Sequence, residues 1–200
     1  MGAALNGSKK TAPPTPYTAK VTMPLPDDKT IAGVVGAYYD SSKALNVEKM
    51  LAGTEDMYPA IQGIVKAVFS ARGVDPKARQ MIILRAAKVL NSPYEWQANV
   101  TLSTNNGLTS EDIDAASADG PVSGVHADYV LICRATDEMS NGGTLTDDTL
   151  SMLIKRYGET LARKHILIIA WFNMLSLFLN GCRVPMETTD KVGSHKSPLG

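Results

Sequence analysis

The chain has 200 residues, of which 44% are hydrophobic and 20% charged, and its formal net charge at pH 7 is zero. This length fits one compact domain with or without tails, and the balanced charge gives no reason to expect nucleic acid or an acidic membrane surface as a partner. The two cysteines, Cys133 and Cys182, lack C-x-x-C spacing, which argues against a disulfide scaffold, a zinc site and a dithiol redox centre.

The two ends of the chain are polar and lack periodicity. We predict a flexible N-terminal arm over residues 1–30, a folded domain over residues 31–185 and a C-terminal tail over residues 186–200. The first thirty residues contain no apolar segment long enough for a secretory signal. The cytoplasm is therefore the default location.

Apolar residues at helical spacing predict the first helices of the domain. One short helix is expected near residues 42–52, and a second, which contains Ile61 and Val65, ends at Gly73. Asp75 as N-cap and Pro76 in the first turn mark the start of a third helix, whose sequence ARQMIILRAAKVL has a broad apolar face.

The segment NSPYEWQANVTL, residues 91–102, predicts the start of the next helix. Ser92 at the N-cap, Pro93 at N1 and Glu95 at N3 form the pattern of a capping box. Glu95 and Asn99 are four residues apart and share a helix face. A titrating partner would be expected opposite a catalytic Glu95, but Asn99 cannot transfer a proton at neutral pH. The sequence leaves both a capping and an acid–base role open for Glu95.

The second half of the chain also predicts helices, with Thr109 and Thr146 as N-caps and Gly158 as a stop. The last helix is expected from about residue 159 to residue 180, and its apolar run, ILIIAWFNMLSLFL, is fourteen residues long. A membrane span needs roughly 20 apolar residues, so we predict a helix buried in protein. No segment alternates like a strand, and the fold class predicted is all-α with seven or eight helices.

Polar residues on the last helix form a stripe along an otherwise apolar element. Asn173, Ser176 and Asn180 fall at i, i+3 and i+7. Buried amides need hydrogen-bond partners, so these residues either bond to neighbouring backbone or to another subunit, or they line a pocket.

The three histidines do not form a recognisable catalytic or metal-binding pattern. His126 begins a helix after a Gly-rich loop and could meet a pocket, His165 lies in a charged turn, and His195 is predicted to be solvated in the tail. No Ser-His-Asp order and no metal-spaced cluster can be picked out, so we predict neither a metal nor a cofactor.

The segment ARQMIILRAAKVLNSPYEWQANVTLSTNNGLTSEDIDAA, residues 78–116, resembles the carboxymuconolactone decarboxylase-like family, which shares its fold with the AhpD alkylhydroperoxidases. Many members have R-E-L-x-I-L-R in one helix, Y-E-W-x-x-H at the start of the next, and A-G-L-(S/T)-x-x-E-I after it. The last helix, at residues 172–181, resembles the family's Y-N-M-x-x-R-F-L-N-A. The likeness covers roughly residues 50–185.

The resemblance implies an all-α bundle that assembles as a trimer, hexamer or other homo-oligomer, with the pocket beside the E-x-x-x-H helix and near a subunit interface. AhpD-type members carry C-x-x-C-x-x-x-H, and the matching positions here are Ser92, Glu95 and Asn99. Because disulfide exchange requires a thiolate, peroxidase activity by that route is not expected. The family's Arg and Tyr in the last helix are replaced by Leu177 and Phe172.

These observations predict a cofactor-independent enzyme that transfers a proton at carbon on a small cyclic substrate. A lactone, a keto acid or a polyketide-like aromatic precursor from secondary metabolism would fit, with decarboxylation, isomerisation, ring opening or cyclisation as the outcome. Glu95 would be the general acid/base, with its pKa raised by burial near Trp96. Asn99 would hold the oxyanion, and Tyr94 or His126 could supply a second proton carrier.

Four residues are predicted to shape the substrate pocket: Trp96, Phe172, Asn173 and Ser176. Two other functions stay open. The chain could be a non-catalytic oligomeric scaffold or binding protein that keeps the fold. A thiol peroxidase would require Cys133 or Cys182 to lie in the pocket with a depressed pKa.

Overall fold

The computed structural model describes residues 11–198, and these residues are all-helical, as predicted, with no β-strand. A 3₁₀ turn, Glu55–Met57, precedes the third of eight helices. The helices are α1 (Asp28–Val35), α2 (Asn46–Ala52), α3 (Tyr58–Phe69), α4 (Pro76–Val89), α5 (Pro93–Asn105), α6 (Ser110–Ala116), α7 (Ala127–Gly142) and α8 (Asp147–Cys182).

Three of the predicted helix starts are confirmed by their cap hydrogen bonds. The carboxylate of Asp75 accepts from the Lys77 amide at 3.1 Å, and Thr146 caps α8 by accepting from the Thr149 amide. Thr109 and Asp112 form a reciprocal capping box at the start of α6. Each of these side chains pairs a backbone N–H that the first helical turn leaves without a partner.

The centre of the bundle is α4, where all residues from 78 to 87 are buried. It packs against α5, α7 and α8. The guanidinium of Arg85 is buried there and is fully paired, because it binds the Asp137 carboxylate and the carbonyl oxygens of Ala116, Ala118 and Gly120. Arg85 therefore ties the loop after α6 to the core, together with Lys88, whose Nζ atom lies 2.7 Å from Asp119 Oδ1.

The long helix α8 is broken where the sequence predicts a stop. Gly158 has φ 73° and ψ 162°, which is not helical, so two helical segments meet there at a kink. By length and composition, α8 is the one helix in the described part of the chain that could cross a membrane. Within its most apolar 18-residue segment, 44% is buried inside the protein. Core helices of soluble proteins pass the same test.

Between residues 11 and 27 the predicted flexible arm lies extended along the bundle, and α1 follows it inside the range predicted to be an arm. The Tyr17 hydroxyl donates to Asn180 Oδ1 at 2.8 Å, and the Met23 amide donates to the Cys182 carbonyl at 2.9 Å. These contacts involve mainly backbone and single polar groups, which produce no hydrophobic periodicity in the sequence. Residues 1–10 lie outside the described residues.

The C-terminal tail also folds back onto the bundle, and we call residues 186–198 the C-terminal strap. The side-chain amides of Asn105 and Asn106, at the end of α5, donate to strap carbonyl oxygens at 2.7–2.8 Å. Lys191 Nζ donates to the Ala44 carbonyl at 3.0 Å. The strap therefore joins the end of α5 to the loop before α2.

Candidate functional site

A cavity of about 920 Å³ lies between α2, α3, α5, α8 and the C-terminal strap. Of the eight predicted site residues, three line it: Glu95, Asn99 and Phe172. The α5 residues in the wall, at positions 95, 98, 99 and 102, have the spacing of one helix face. The sequence predicts that Glu95 and Asn99 share a helix face, and for this reason both side chains reach the same cavity.

Most of the wall is apolar and partly aromatic. Trp171 and Phe172 are contributed by α8, and the ring of Phe69 from α3 meets that of Phe172 edge-on, with centroids 6.3 Å apart. Aliphatic side chains in the lining include Val47, Leu51, Val65, Ala98, Leu102 and Leu175. Such a wall favours a ligand with a flat hydrophobic ring system.

Glu95 lies in the wall of this cavity, and its predicted role in a capping box is wrong. The Ser92 side chain makes no cap hydrogen bond, and the Ser92 amide donates to the Ala87 carbonyl at 2.7 Å. Because the end of α4 already satisfies that amide, the carboxyl group of Glu95 is not needed there. Glu95 is only 3% exposed.

Burial raises the pKa of Glu95 from its usual value of 4.5 to about 7. A hydrogen bond from Asn99 Nδ2 to Glu95 Oε1, 3.0 Å long, opposes this shift because it stabilises the ionised carboxylate. The net result is a carboxyl group that is partly ionised at neutral pH, where a general acid or base is most effective.

Asn99 has a different orientation from the one expected of an oxyanion donor. Its Nδ2 atom donates to Glu95 Oε1 and also to the Glu95 backbone carbonyl, at 2.9 Å. An amide group has two N–H donors, and both are directed to Glu95. In this structure Asn99 therefore orients the Glu95 carboxyl group through Oε1 and favours its ionised form.

Tyr94 is buried beside the cavity but does not line it. Its hydroxyl accepts from the Val47 amide at 2.9 Å and donates to Glu187 Oε1 at 2.5 Å. Burial and the neighbouring Glu187 carboxylate raise the pKa of Tyr94. The hydroxyl therefore joins α5 to α2 and to the C-terminal strap, and its proton is held away from the cavity.

Four further predicted site residues lie outside the cavity lining. Trp96 packs against the second apolar cluster, around Met81 and Leu108, because one residue after Glu95 is about 100° around the helix. His126 is exposed and caps α7. Asn173 Oδ1 accepts from the Ser140 hydroxyl at 2.8 Å, and Ser176 is fully buried. The predicted bond to neighbouring backbone is found for Asn180, which donates to the Leu90 carbonyl, whereas the partner of Asn173 is a side chain.

The rim of the cavity carries charged residues that sequence reasoning missed. They belong to the loop before α2, to α2 itself and to the C-terminal strap, and they are Asp40, Lys43, Glu48, Asp190, Lys191 and His195. His195, predicted to be solvated in the tail, is exposed but lines the cavity. No sequence signal marks these residues, because segments distant in sequence bring them together.

Neither cysteine meets the requirement for a peroxidatic thiol. Cys133 and Cys182 both lie outside the cavity lining, and burial raises the pKa of each thiol. Low thiolate character disfavours attack on a peroxide. Within residues 11–198, no group of three or more His, Cys, Asp or Glu side chains is placed to hold a metal ion.

Comparison with known proteins supports the resemblance seen in the sequence. Residues 55–126 match the model of the carboxymuconolactone decarboxylase family. This segment runs from the 3₁₀ turn to the N-cap of α7 and includes Glu95 and Asn99. No curated protein and no solved structure matches the chain.

Proposed function

We propose that this carboxymuconolactone decarboxylase-like protein is a cofactor-independent enzyme that transfers a proton at carbon on a small cyclic carbonyl compound, with Glu95 as the general acid/base. The observation that carries the proposal is the position of Glu95: its carboxyl group is buried in the wall of a cavity that Trp171 and Phe172 also line, and it has a pKa of about 7. The family match is compatible with decarboxylase-like or AhpD-like activity, and the remote, protonated thiols favour the former.

In the proposed reaction, the substrate ring lies against Trp171 and Phe172, and a C–H bond next to its carbonyl group faces Glu95. The ionised carboxylate takes the proton: the C–H bond breaks, an O–H bond forms on Glu95, and the electron pair moves onto the carbonyl oxygen as an enolate. Return of the proton to another carbon gives an isomer. In a decarboxylation, the C–C bond to the substrate carboxylate breaks, CO₂ leaves, and protonated Glu95 delivers its proton to that carbon.

Asn99 acts in this scheme as a positioning residue. One of its N–H groups donates to Oε1 of Glu95 and the other to the Glu95 backbone carbonyl, so the hydrogen bond to Oε1 restricts rotation of the carboxyl group. The same hydrogen bond limits how far burial raises the pKa of Glu95. Without it, a smaller fraction of Glu95 would be ionised and able to accept a proton at neutral pH.

The direct test is proton exchange at carbon. We expect the protein to accelerate deuterium uptake at the acidic methylene of 2-tetralone in D₂O, followed by NMR, and Glu95→Gln to slow the enzymatic exchange about 100-fold or more. Glu159→Gln is the matched control, since Glu159 is an exposed carboxyl group on α8. The proposal fails if Glu95→Gln, with unchanged circular dichroism, exchanges the substrate as fast as the wild type.

The second candidate function is a non-catalytic binding protein. It is favoured by the absence of a second titrating side chain hydrogen-bonded to Glu95, whose only side-chain partner in the described residues is the Asn99 amide. In that case 2-tetralone would bind in the cavity without accelerated exchange, and the same experiment would separate the two functions.

A further inference from the structure

The charged groups that line the cavity are predominantly acidic. Carboxyl groups are contributed by Asp40, Glu48, Glu95 and Asp190, whereas basic groups are the ammonium groups of Lys43 and Lys191 and the imidazole of His195. A cavity that selects an anionic substrate is normally lined by cations, because like charges repel the ligand. Here carboxyl groups outnumber the basic groups, so the cavity lining has the opposite charge from that of an anion-binding site.

Both ammonium groups already have carboxylate partners within the protein. Lys43 Nζ lies 3.4 Å from Asp40 Oδ2. Lys191 Nζ lies 2.9 Å from Glu187 Oε2 and also donates to the Ala44 carbonyl. At the mostly buried Lys191, a ligand carboxylate would have to displace Glu187 and would gain little Coulomb energy. The Lys43 pair is exposed and therefore weak, and solvent screens its attraction for a ligand as well.

The position of Glu95 is still less suited to an anion. Its carboxyl group is almost fully buried, its hydrogen-bond partner is the neutral Asn99 amide, and Ala98, Leu102, Trp171 and Phe172 line the same cavity. A second carboxylate placed beside Glu95 would lose its hydration and meet a like charge, and an unpaired charge in such surroundings is strongly disfavoured. A carbonyl oxygen carries no net charge and so meets no such like-charge penalty, and at lower pH protonated Glu95 can donate to it.

The size and shape of the cavity indicate more than one ring. Its volume of about 920 Å³ lies near the upper end of the range of roughly 300–1,000 Å³ that accommodates drug-sized ligands. Aromatic side chains on α3 and α8, namely Phe69, Trp171 and Phe172, supply flat surfaces against which fused rings can stack.

We infer that the cavity takes a neutral polycyclic ketone or lactone and discriminates against carboxylated compounds with the same ring system. The inference rests on the proposed function, which places the ligand's carbonyl group next to Glu95. It narrows that function to isomerisation, ring opening or cyclisation of uncharged substrates, and makes decarboxylation of a small carboxylated lactone the disfavoured reaction.

The fluorescence of Trp171, which lines the cavity, can report ligand binding directly. The chain has two tryptophans, and Trp96 lies outside the cavity lining, so Trp96→Phe leaves Trp171 as the sole tryptophan. We would titrate this variant at pH 8 with 9-fluorenone, 9-fluorenone-4-carboxylate and 9-fluorenone-2,7-dicarboxylate, and repeat the titrations on the wild type by calorimetry. We expect the affinity to fall about tenfold with each added carboxylate. The inference is overturned if the dicarboxylate binds as tightly as the ketone, or if none of the three binds.

Glu48→Gln tests whether the cavity's own charge causes the discrimination. The Tyr58 hydroxyl lies 3.3 Å from Glu48 Oε1, and a glutamine keeps an acceptor oxygen at that position. Removal of one negative charge should narrow the affinity difference between the ketone and the dicarboxylate about threefold. An unchanged difference would contradict the electrostatic argument.

The failure of this inference can be told apart from the failure of the proposed function. If Glu95→Gln abolishes proton exchange but the dicarboxylate binds best, the catalytic role of Glu95 stands and the ligand class is wrong. If the neutral ketone binds best but Glu95→Gln leaves exchange unchanged, the ligand class stands and the protein is a binding protein.

Discussion

Burial of Glu95 makes its carboxyl group suitable for proton transfer and at the same time weakens the folded state at high pH. The folded-state pKa of about 7 exceeds the usual value of 4.5, so between these values the folded protein holds a proton that the unfolded chain has lost. Proton binding then favours folding. The stability linked to Glu95 is fully present below the unfolded-state pKa and is lost as the pH rises through the folded-state pKa.

This linkage predicts a difference between the wild type and Glu95→Gln. As the pH rises from about 5 to 8, the wild type should lose roughly 3 kcal/mol more of its free energy of unfolding than the variant, whose amide does not titrate. Urea unfolding of both proteins at the two pH values measures this. Equal losses in the two proteins would mean that Glu95 does not titrate abnormally in the folded state.

A second prediction concerns Asn99, whose amide stabilises the ionised form of Glu95. Asn99→Ala should raise the pKa of Glu95 further, and move the midpoint of the pH–rate curve for proton exchange upward by up to about one unit. The rate at high pH should change less than at neutral pH. A merely structural role for Asn99 would lower the rate at every pH and leave the midpoint in place.

Asn141→Ala is the matched control for this experiment. The Asn141 amide donates to the backbone carbonyl four residues earlier, at 2.9 Å, as the Asn99 amide also does. Asn141 is exposed on α7 and has no contact with Glu95. Its replacement should leave the midpoint unchanged.

Among the elements, α8 shows most clearly how one residue shapes a helix. At Gly158 the backbone has φ 73° and ψ 162°, a combination that is essentially restricted to glycine. The kink divides α8 into a first segment that ends near α7 and a second segment that carries Trp171 and Phe172 to the cavity. The sequence predicts both the stop at Gly158 and a helix that begins at about residue 159, and the structure adds that the two segments join at this one non-helical residue.

Gly158→Ala should therefore lower the free energy of unfolding by about 1–3 kcal/mol, through backbone strain alone, since a Cβ atom there would have nothing within 4 Å. Gly142→Ala is a matched control, because its Cβ atom would also meet nothing within 4 Å and Gly142 lies in α7 without a positive φ. That change should be neutral or slightly stabilising. Thermal unfolding of the two variants measures the difference, and equal effects would contradict the strain argument.

At the scale of the whole molecule, one face of α8 carries exposed apolar side chains. Leu167, Met174 and Leu177 are 65%, 45% and 59% exposed, respectively, and their spacing places them on one side of the helix. An apolar stripe of this kind is typical of a contact with another protein surface. We propose that it is the contact between copies of this chain, in keeping with the homo-oligomer that the family resemblance implies.

The prediction is that light scattering shows a dimer, trimer or hexamer for the wild type. The double variant Leu167→Lys/Leu177→Lys should be monomeric, because buried lysines without partners disfavour an interface. Thr144→Lys, a change at an exposed position outside this face, should leave the assembly unchanged. A wild type that is monomeric at micromolar concentration would refute the proposed contact.

The amino-acid sequence determined the features that depend on neighbouring residues. The caps at Asp75, Thr109 and Thr146 and the helical periodicity predict the main helices, since a cap and a helix face are each set within a few residues of chain. The four-residue spacing of Glu95 and Asn99 likewise predicts their contact. The absence of a cysteine pair at positions 92 and 95, which are Ser92 and Glu95, also follows from the sequence alone.

The tertiary structure decided which way Glu95 points and what surrounds it. The Ser92 amide bonds to the Ala87 carbonyl at the end of α4, so the locally plausible capping box does not form and the carboxyl group enters the cavity. The C-terminal strap brings Lys191 and His195 to the rim. Such contacts join residues that are far apart in sequence, and no local pattern of residue types encodes them. The physical character of the site is thus set by long-range packing, whereas the helix that carries it is set locally.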